Sequence, residues 1–248
     1  VSLTGTGAAQ YAVANNGTVV YVPEEPRSLV LVDRSGASRP AVGETHNYHA
    51  PRFSPDGQRI AVDFTTPDGR DVWVLRLADG TLSRTTFVTD GHDPSWGPGA
   101  DDLSFVSARS GVLGLYRIRP GGAAPAESLF ASSQLGYTGI WLHDQSAVVT
   151  AGAGLAPESR TDIGIVRNGG RGPIDPVVAT RFEEQSPAMS PDDQWLAFMS
   201  TQSGREEVYV RRLDGTGAQV QISLAGGTEP VWGPSGQELF YRATSAGQ

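Results

Sequence analysis

The chain has 248 residues, 38% of them hydrophobic, with 31 Gly, 17 Pro, no Cys and a formal charge of −8. The acidic balance argues against a nucleic-acid or anionic-membrane partner, which would need a basic footprint, and without Cys there is neither disulfide nor thiol chemistry. All 19 basic residues are Arg, which excludes Schiff-base and lysine general-base mechanisms, and no run of about 18 apolar residues offers a membrane-spanning helix.

Residues 1–10, VSLTGTGAAQ, lack the basic and apolar stretches of a signal peptide. With no initial Met they read as a processed or excised start, in which Val1–Thr4 can add a short outer strand. Tyr11–Val22 is the first of six similar segments, YAVANNGTVVYV. The clearest copy is Pro51–Val62, PRFSPDGQRIAV, where Ser54-Pro55-Asp56-Gly57 joins two extended runs. Proline presets φ for the second position of a type I turn, and Asp and Gly suit the two positions after it, so the segment reads as a β-hairpin. Further copies begin at Pro94, Gly139, Pro187 and Pro230. Between them lie alternating runs: Ser28–Val32, Asp71–Leu75 followed by Thr81–Val88, Leu115–Ile118, Asp162–Val166 and Glu207–Val210. Each ends in a turn sequence such as Ala78-Asp79-Gly80, Asn168-Gly169-Gly170 or Leu213-Asp214-Gly215.

The hairpins start at 11, 51, 94, 139, 187 and 230, in steps of 40, 43, 45, 48 and 43. Two residues into each stands an apolar side chain: Val13, Phe53, Trp96, Trp141, Met189 and Trp232. A strand-rich period of roughly 40–45 residues marks a propeller blade, and these apolar positions would fill the seams between blades. The expectation is a single all-β domain over residues 1–248, a six-bladed β-propeller with four antiparallel strands per blade. After Tyr241 only seven residues remain, so the last blade is expected to be incomplete, with an open edge through which the chain can self-associate.

The turns SPDG, SPDD and GPSG resemble the WD40-like Pro-Asp repeats of TolB-type propellers. Residues 226–242 (GGTEPVWGPSGQELFYR), 190–213 (SPDDQWLAFMSTQSGREEVYVRRL) and 7–22 (GAAQYAVANNGTVVYV) resemble, more narrowly, a particular group. These are the propeller regions C-terminal to bacterial serine/threonine kinase domains and in related stand-alone proteins. The resemblance covers essentially the whole chain, most specifically its last quarter. It implies a six-bladed propeller in an extracytoplasmic setting, periplasmic or cell-surface, acting as a sensor or scaffold that binds a peptide or protein. In that family a further outer strand pair comes after the GGTEPVW hairpin. Neither the kinase domain nor a membrane helix is in this sequence, so the resemblance carries no signalling activity. Propellers of this type can hold a channel cation such as calcium, but no EF-hand-like loop is visible and no other cofactor is implied.

If each first strand starts at the mouth of a central channel, the residues before the hairpins surround it. These are Gln10, His49, His92 with Asp93, Thr138, Gln185 with Ser186, and Thr228 with Glu229. The loops between second and third strands emerge on the same face with Arg27, Arg70, Arg109, Arg160 and Arg205. The expected ligand-binding set is His49, His92, Asp93, Thr138, Glu229, Arg70, Arg160 and Arg205, in which Arg can grip a carboxylate-bearing peptide. The competing reading has these Arg residues pairing with acids of adjacent blades to fix the loops. His46, His49 and His92 lie near Asp90 and Asp93, but their spacing matches no compact metal motif, so no metal site is expected.

Catalysis is the weaker class. The chain has no Gly-x-Ser-x-Gly elbow, His-Glu-x-x-His or phosphate-binding loop. The pairs Glu183-Glu184 and Glu206-Glu207 read as solvated loop acids, since neighbours on a strand point to opposite faces and cannot share one cleft. The alternative to a binding module is a propeller enzyme, or the accessory domain of a hydrolase or lyase, acting at a His/Asp/Arg-lined channel.

Overall fold

The structure, a computed structural model, describes residues 11–21, 28–152 and 154–244, with the side chains of Tyr11, Tyr21, Tyr137 and Thr138 outside that description. The expected strand at Val1–Thr4, together with Gln10 and Arg27, also lies outside it. The chain divides into two compact units, Val1–Ser132 and Ser133–Gln248.

The first unit holds three four-stranded antiparallel sheets, each paired in chain order and labelled a to d. Blade 1 comprises Tyr11–Val13, Val19–Tyr21, Val30–Val32 and Ser38–Pro40; blade 2, His49–Phe53, Arg59–Thr66, Gly69–Arg76 and Thr81–Arg84; blade 3, His92–Trp96, Leu103–Ser107, Gly114–Ile118 and Glu127–Ala131. The second unit holds blade 4 (Leu135–Trp141, Val148–Gly152, Asp162–Val166, Ile174–Val178) and blade 5 (Glu184–Met189, Trp195–Ser200, Glu207–Arg212, Val220–Gln221). The hairpin Thr228–Trp232 and Leu239–Arg242 comes last as a two-stranded sheet. The count is therefore five blades, and the expectation of six is corrected: among the described residues the last hairpin has strands a and b alone.

Local turn chemistry explains the hairpins. Gly57 N–H donates to Ser54 O at 2.8 Å, and Gly57 takes φ 68°, a conformation that suits glycine. The Ser54 hydroxyl bonds the Asp56 carboxylate and also accepts from Arg59 N–H at 3.0 Å. Ser190 and Asp192 repeat this arrangement with Trp195 N–H. Asn168 and Gly169, expected as a turn, sit at φ 56° and 66° in the single helical turn Arg167–Gly170. Strand d of blade 2, expected to run from Thr81 to Val88, stops at Arg84. The residues after it turn away to satisfy a buried acid: Thr86 Oγ1 and the Val88 amide donate to Asp71 Oδ1 at 2.6 and 3.1 Å.

Within each unit the apolar faces of consecutive blades close on one another. Leu31 and Val20 of blade 1 pack with Ile60, Val62 and Leu75 of blade 2, whose Val72 and Val74 pack with Phe105 and Tyr116 of blade 3. In the second unit Val149, Ile163 and Ile165 pack with Leu196, Phe198 and Tyr209. Four of the six recurring apolar positions occupy these seams: Phe53, Trp96, Met189 and Trp232 each join one of the clusters. Two of the tryptophans also tie neighbouring strands a together. Trp96 Nε1–H donates to Arg52 O and Trp232 Nε1–H to Ala188 O, both at 3.1 Å. The Arg59 guanidinium lies over the Trp96 ring, 4.7 Å from its centroid.

Trp96→Ala should destabilise the fold by about 3–5 kcal/mol through lost packing. Trp96→Phe keeps a ring but leaves the Arg52 carbonyl without its donor and should cost about 1 kcal/mol beyond the smaller packing loss. Urea unfolding of the two variants measures both.

Candidate functional site

Strand a carries one unusual feature in four sheets. The residue before its proline takes positive φ: Ala50 at 46°, Asp93 at 51°, Ser186 at 52° and Glu229 at 54°. The a–b register breaks at the same place, between His49 and Arg52, Gln185 and Ala188, and Thr228 and Val231, and opposite Ser104–Val106 in blade 3. A bulge re-aims the side chains beside it, and left-handed non-glycine residues of this kind cost roughly 1–3 kcal/mol each and gather where structure over-determines them. The expected mouth residues His49, His92 with Asp93, Gln185 with Ser186, and Thr228 with Glu229 all stand at these bulges. Strand a of blade 4 shifts register between Leu135 and Gly139; Thr138 lies in that stretch, and its side chain is outside the described residues.

In the first unit the bulge of blade 3 rests on a buried polar cluster. Asp93 N–H donates to Asp63 Oδ2 at 2.9 Å, and Arg70 Nε–H donates to Asp63 Oδ1 at 2.5 Å. His92 Nδ1 lies 3.1 Å from Asp93 Oδ2. Both carboxyls are fully buried, and Asp93 Oδ1 has no hydrogen-bond partner among the described residues. His49 pairs with Asp63 across strands a and b of blade 2. Asp90 is tied down separately by the Ser107 hydroxyl at 2.6 Å and the Ala108 amide at 2.7 Å. Burial is the largest influence on Asp63; Arg70 opposes it, the charge of Asp93 adds to it, and the carboxyl is pushed up to about 6. Burial acts on Asp93 too, but the His92 hydrogen bond and the charges of His92, Arg70 and Arg52 outweigh it and hold that carboxyl below the usual range.

Carboxylates also organise the second unit. Glu207 accepts from the Ser223 hydroxyl, from Gly226 N–H at 3.0 Å and from Arg205 Nε–H at 2.6 Å. These bonds, against burial, keep it below its ordinary value. Asp162 Oδ2 gathers Leu155 N–H, Ala156 N–H and the Ser159 hydroxyl at 2.8, 3.0 and 2.6 Å. Glu184 accepts from Thr180 Oγ1–H at 2.6 Å; burial and the charge of Asp162 raise it in spite of that bond. Glu229 receives Arg242 Nε–H at 3.0 Å.

The expected arginines fare differently. Arg205 is spent on Glu207 and the Leu224 carbonyl, and exposed Arg160 approaches Glu183 at 3.6 Å. Arg109 turns onto the rings of Phe105 and Tyr116, at 5.0 and 4.1 Å. Arg70 commits Nε alone, and its two terminal nitrogens form no hydrogen bond among the described residues. Pairing is therefore common, but for Arg70 and Arg205 it falls within their own blades. The reading of Glu184 and Glu207 as solvated is corrected, since both are buried. Sequence reasoning leaves Asp63, Asp71 and Asp162 unmarked. A signal for two of them is present, because an acid stands at or near the start of three of the c strands, at Asp71, Asp162 and Glu207. Among the described residues no three His, Asp or Glu side chains converge in a way that could hold a metal ion.

This is the fold of a β-propeller, and solved structures bear that out. The putative TolB from Agrobacterium tumefaciens matches with a TM-score of 0.78 at 15% identity, over 95% of this chain and 90% of its own. TolB from Acinetobacter baumannii matches with a TM-score of 0.75 at 20% identity, over 90% of this chain and 56% of its own, so the chain spans little more than half that protein's length. An oligogalacturonate lyase in complex with manganese matches with a TM-score of 0.65 at 14% identity, over 97% and 73%. No protein-family model matches the chain. At these identities the likeness is one of fold.

The Asp63–Asp93 pair makes a pH prediction. An acid whose folded value of about 6 lies above its unfolded value of about 3.9 holds its proton more tightly when folded. Its contribution is fully present below about pH 4 and is lost as pH rises towards 6, a change on the order of 3 kcal/mol. The difference in urea-unfolding free energy between wild type and Asp63→Asn should therefore slope between pH 4 and 6; a flat difference would rule the coupling out.

Proposed function

We propose that this chain is a non-catalytic binding module, an extracytoplasmic sensor or scaffold domain of the TolB-like kind, that takes a carboxylate-bearing peptide or protein segment at the bulged ends of its a strands. The observation that carries the reading is Arg70. Its Nε is anchored on buried Asp63, its side chain is 27% exposed, and its terminal nitrogens form no hydrogen bond among the described residues. A guanidinium fixed at one edge and open at the other is preorganised for bidentate carboxylate recognition. His49 and His92, both half-buried, stand at the neighbouring bulges and supply further donors. Asp93 shapes this end by orienting His92. In the second unit, taken by itself, Arg160, Arg205, Glu229 and Thr138 are the residues proposed to contact a ligand. No helix among the described residues is long and apolar enough to cross a membrane, and the proposed partner is polypeptide.

The second reading is a propeller enzyme or the accessory domain of a hydrolase or lyase. What favours it is His92 held by a buried carboxylate at 3.1 Å, an arrangement that also orients a general base. Solved propellers of this fold include the oligogalacturonate lyase and a gluconolactonase from Xanthomonas campestris.

Calorimetry with a peptide array separates the two. Peptides with a free C-terminal carboxylate should bind saturably and without turnover, and their amidated forms should bind at least about tenfold more weakly. Arg70→Gln should remove that discrimination while circular dichroism stays unchanged. Turnover of an oligogalacturonate or lactone substrate, abolished by His92→Ala, would establish the enzyme instead.

A further inference from the structure

In the second unit, blades 4 and 5 leave a cleft of about 490 Å³ between their turns, a size that suits a small molecule. Its floor is aliphatic. Ile165, in strand c of blade 4, is buried, and Leu142, Val177 and Leu213 lie half-buried against the same core cluster. Its walls carry two arginines: Arg167 directly after strand c of blade 4, and Arg212 as the last residue of strand c of blade 5. That second strand begins at Glu207, which Arg205 engages. The cleft therefore lies at the other end of the strand from Arg205.

Hydrogen-bond bookkeeping says what the cleft can receive. Its acids are committed to donors of the protein. Asp193 accepts the His143 main-chain N–H at 2.7 Å on Oδ2, and its Oδ1 meets His143 Nδ1 at 2.9 Å. This double contact braces the a–b turn of blade 4 against that of blade 5 beside the cleft. Asp214 Oδ1 accepts both the Thr216 N–H and its hydroxyl, at 2.9 and 2.7 Å. The guanidiniums, by contrast, are oriented without being used up. Arg212 lies over the Trp195 ring, 5.3 Å from its centroid, and donates from Nη2 to Gln194 Oε1 at 3.2 Å. Its Nε stands 3.6 Å from Asp214 Oδ2, and its Nη1 forms no hydrogen bond among the described residues. Arg167 approaches Asp175 at 3.5 Å through Nε alone, and its terminal nitrogens form no hydrogen bond among the described residues.

We propose that this cleft is a binding site for a small amphipathic carboxylic acid, whose carboxylate meets Arg212 and Arg167 while its hydrocarbon body covers the aliphatic floor. Guanidinium groups with free N–H edges recognise carboxylates by charge-assisted hydrogen bonds, and apolar contact beneath them supplies most of the affinity. Charge balance selects the head group. Two arginines set against Asp193 and Asp214 leave the lining close to neutral, which suits a singly charged carboxylate better than a doubly charged phosphate. The proposal concerns the second unit alone and does not rest on the reading given for Arg70.

The test uses the 248-residue chain with four probes at neutral pH: octanoate, octanol, acetate and octyl phosphate. Octanoate should bind saturably by calorimetry and shift the amide NMR signals of Gln194, Leu213 and Asp214. Octanol, which lacks the charge, should bind about tenfold more weakly, and acetate, which lacks the body, about a hundredfold more weakly. The arginine side chains are 65% and 36% exposed, so Arg167→Gln and Arg212→Gln should leave the circular dichroism spectrum unchanged. Each should weaken octanoate about five- to tenfold while octanol binding stays within about twofold, a split that general loosening of the cleft does not produce. Any of three results overturns the proposal: no saturable octanoate binding up to about 10 mM, equal affinity for octanoate and octanol, or octanoate binding that both variants leave unchanged. Tighter binding of octyl phosphate than of octanoate would overturn the assignment of the head group.

Discussion

The structure depends on carboxylates that are buried at the start of a strand and receive main-chain amides from the loop beside it. Asp71 collects Thr86, Val88 and Thr89, Glu207 collects Ser223 and Gly226, and Asp162 collects Leu155 and Ala156. Loops that leave a sheet carry unpaired N–H groups, and hiding them without acceptors would cost more than any single side-chain contact returns. Asp71 and Asp162 each accept two of them, and Glu207 accepts one together with the Ser223 hydroxyl. In blades 2 and 5 the same acid also engages an arginine, Arg84 and Arg205 respectively. The charge is thereby offset where it is buried, and the loop running to the next blade is held in one conformation.

This clamp connects local fold to function. The loops fixed by Asp71 and Glu207 lead directly into the a strands whose pre-proline residues, Asp93 and Glu229, are left-handed. A chain drawn taut at one end and opened by a bulge at the other holds its polar side chains at a defined height. The first unit adds a second layer, in which Asp63 accepts both the Asp93 amide and Arg70. The side chains proposed for recognition there rest on charge neutralisation beneath them rather than on an apolar pocket, and two of Arg70's three guanidinium nitrogens form no hydrogen bond among the described residues.

How far this can be read from the residues depends on how local each cause is. The SPDG-type turns are decided within four residues, so the hairpins are legible, and so are the alternating c strands from Asp71 to Glu207. Where a cause is distant, the sequence is silent. Nothing near Thr85 shows that strand d must end at Arg84; the reason sits at Asp71, on the adjoining strand. Glu184 and Glu207 look like ordinary surface acids beside Glu183 and Glu206, yet both are buried, and Glu207 meets the Ser223 hydroxyl sixteen residues away. The blade count goes astray because a hairpin marks where a sheet begins and says nothing of how many strands will join it. The mouth residues stand at the expected positions along each strand, but the left-handed backbone that displays them leaves no compositional trace: Ala, Asp, Ser and Glu share no conformational preference that would announce it.

The indole bonds from Trp96 and Trp232 address the peptide carbonyls of Arg52 and Ala188, residues with nothing in common beyond their place in the repeat. A fastening that grips only the main chain is indifferent to the identity of its neighbour. Units joined this way can be duplicated, shuffled or replaced without renegotiating the joint, which gives a physical reason why repeats in one chain can drift so far in sequence and still assemble.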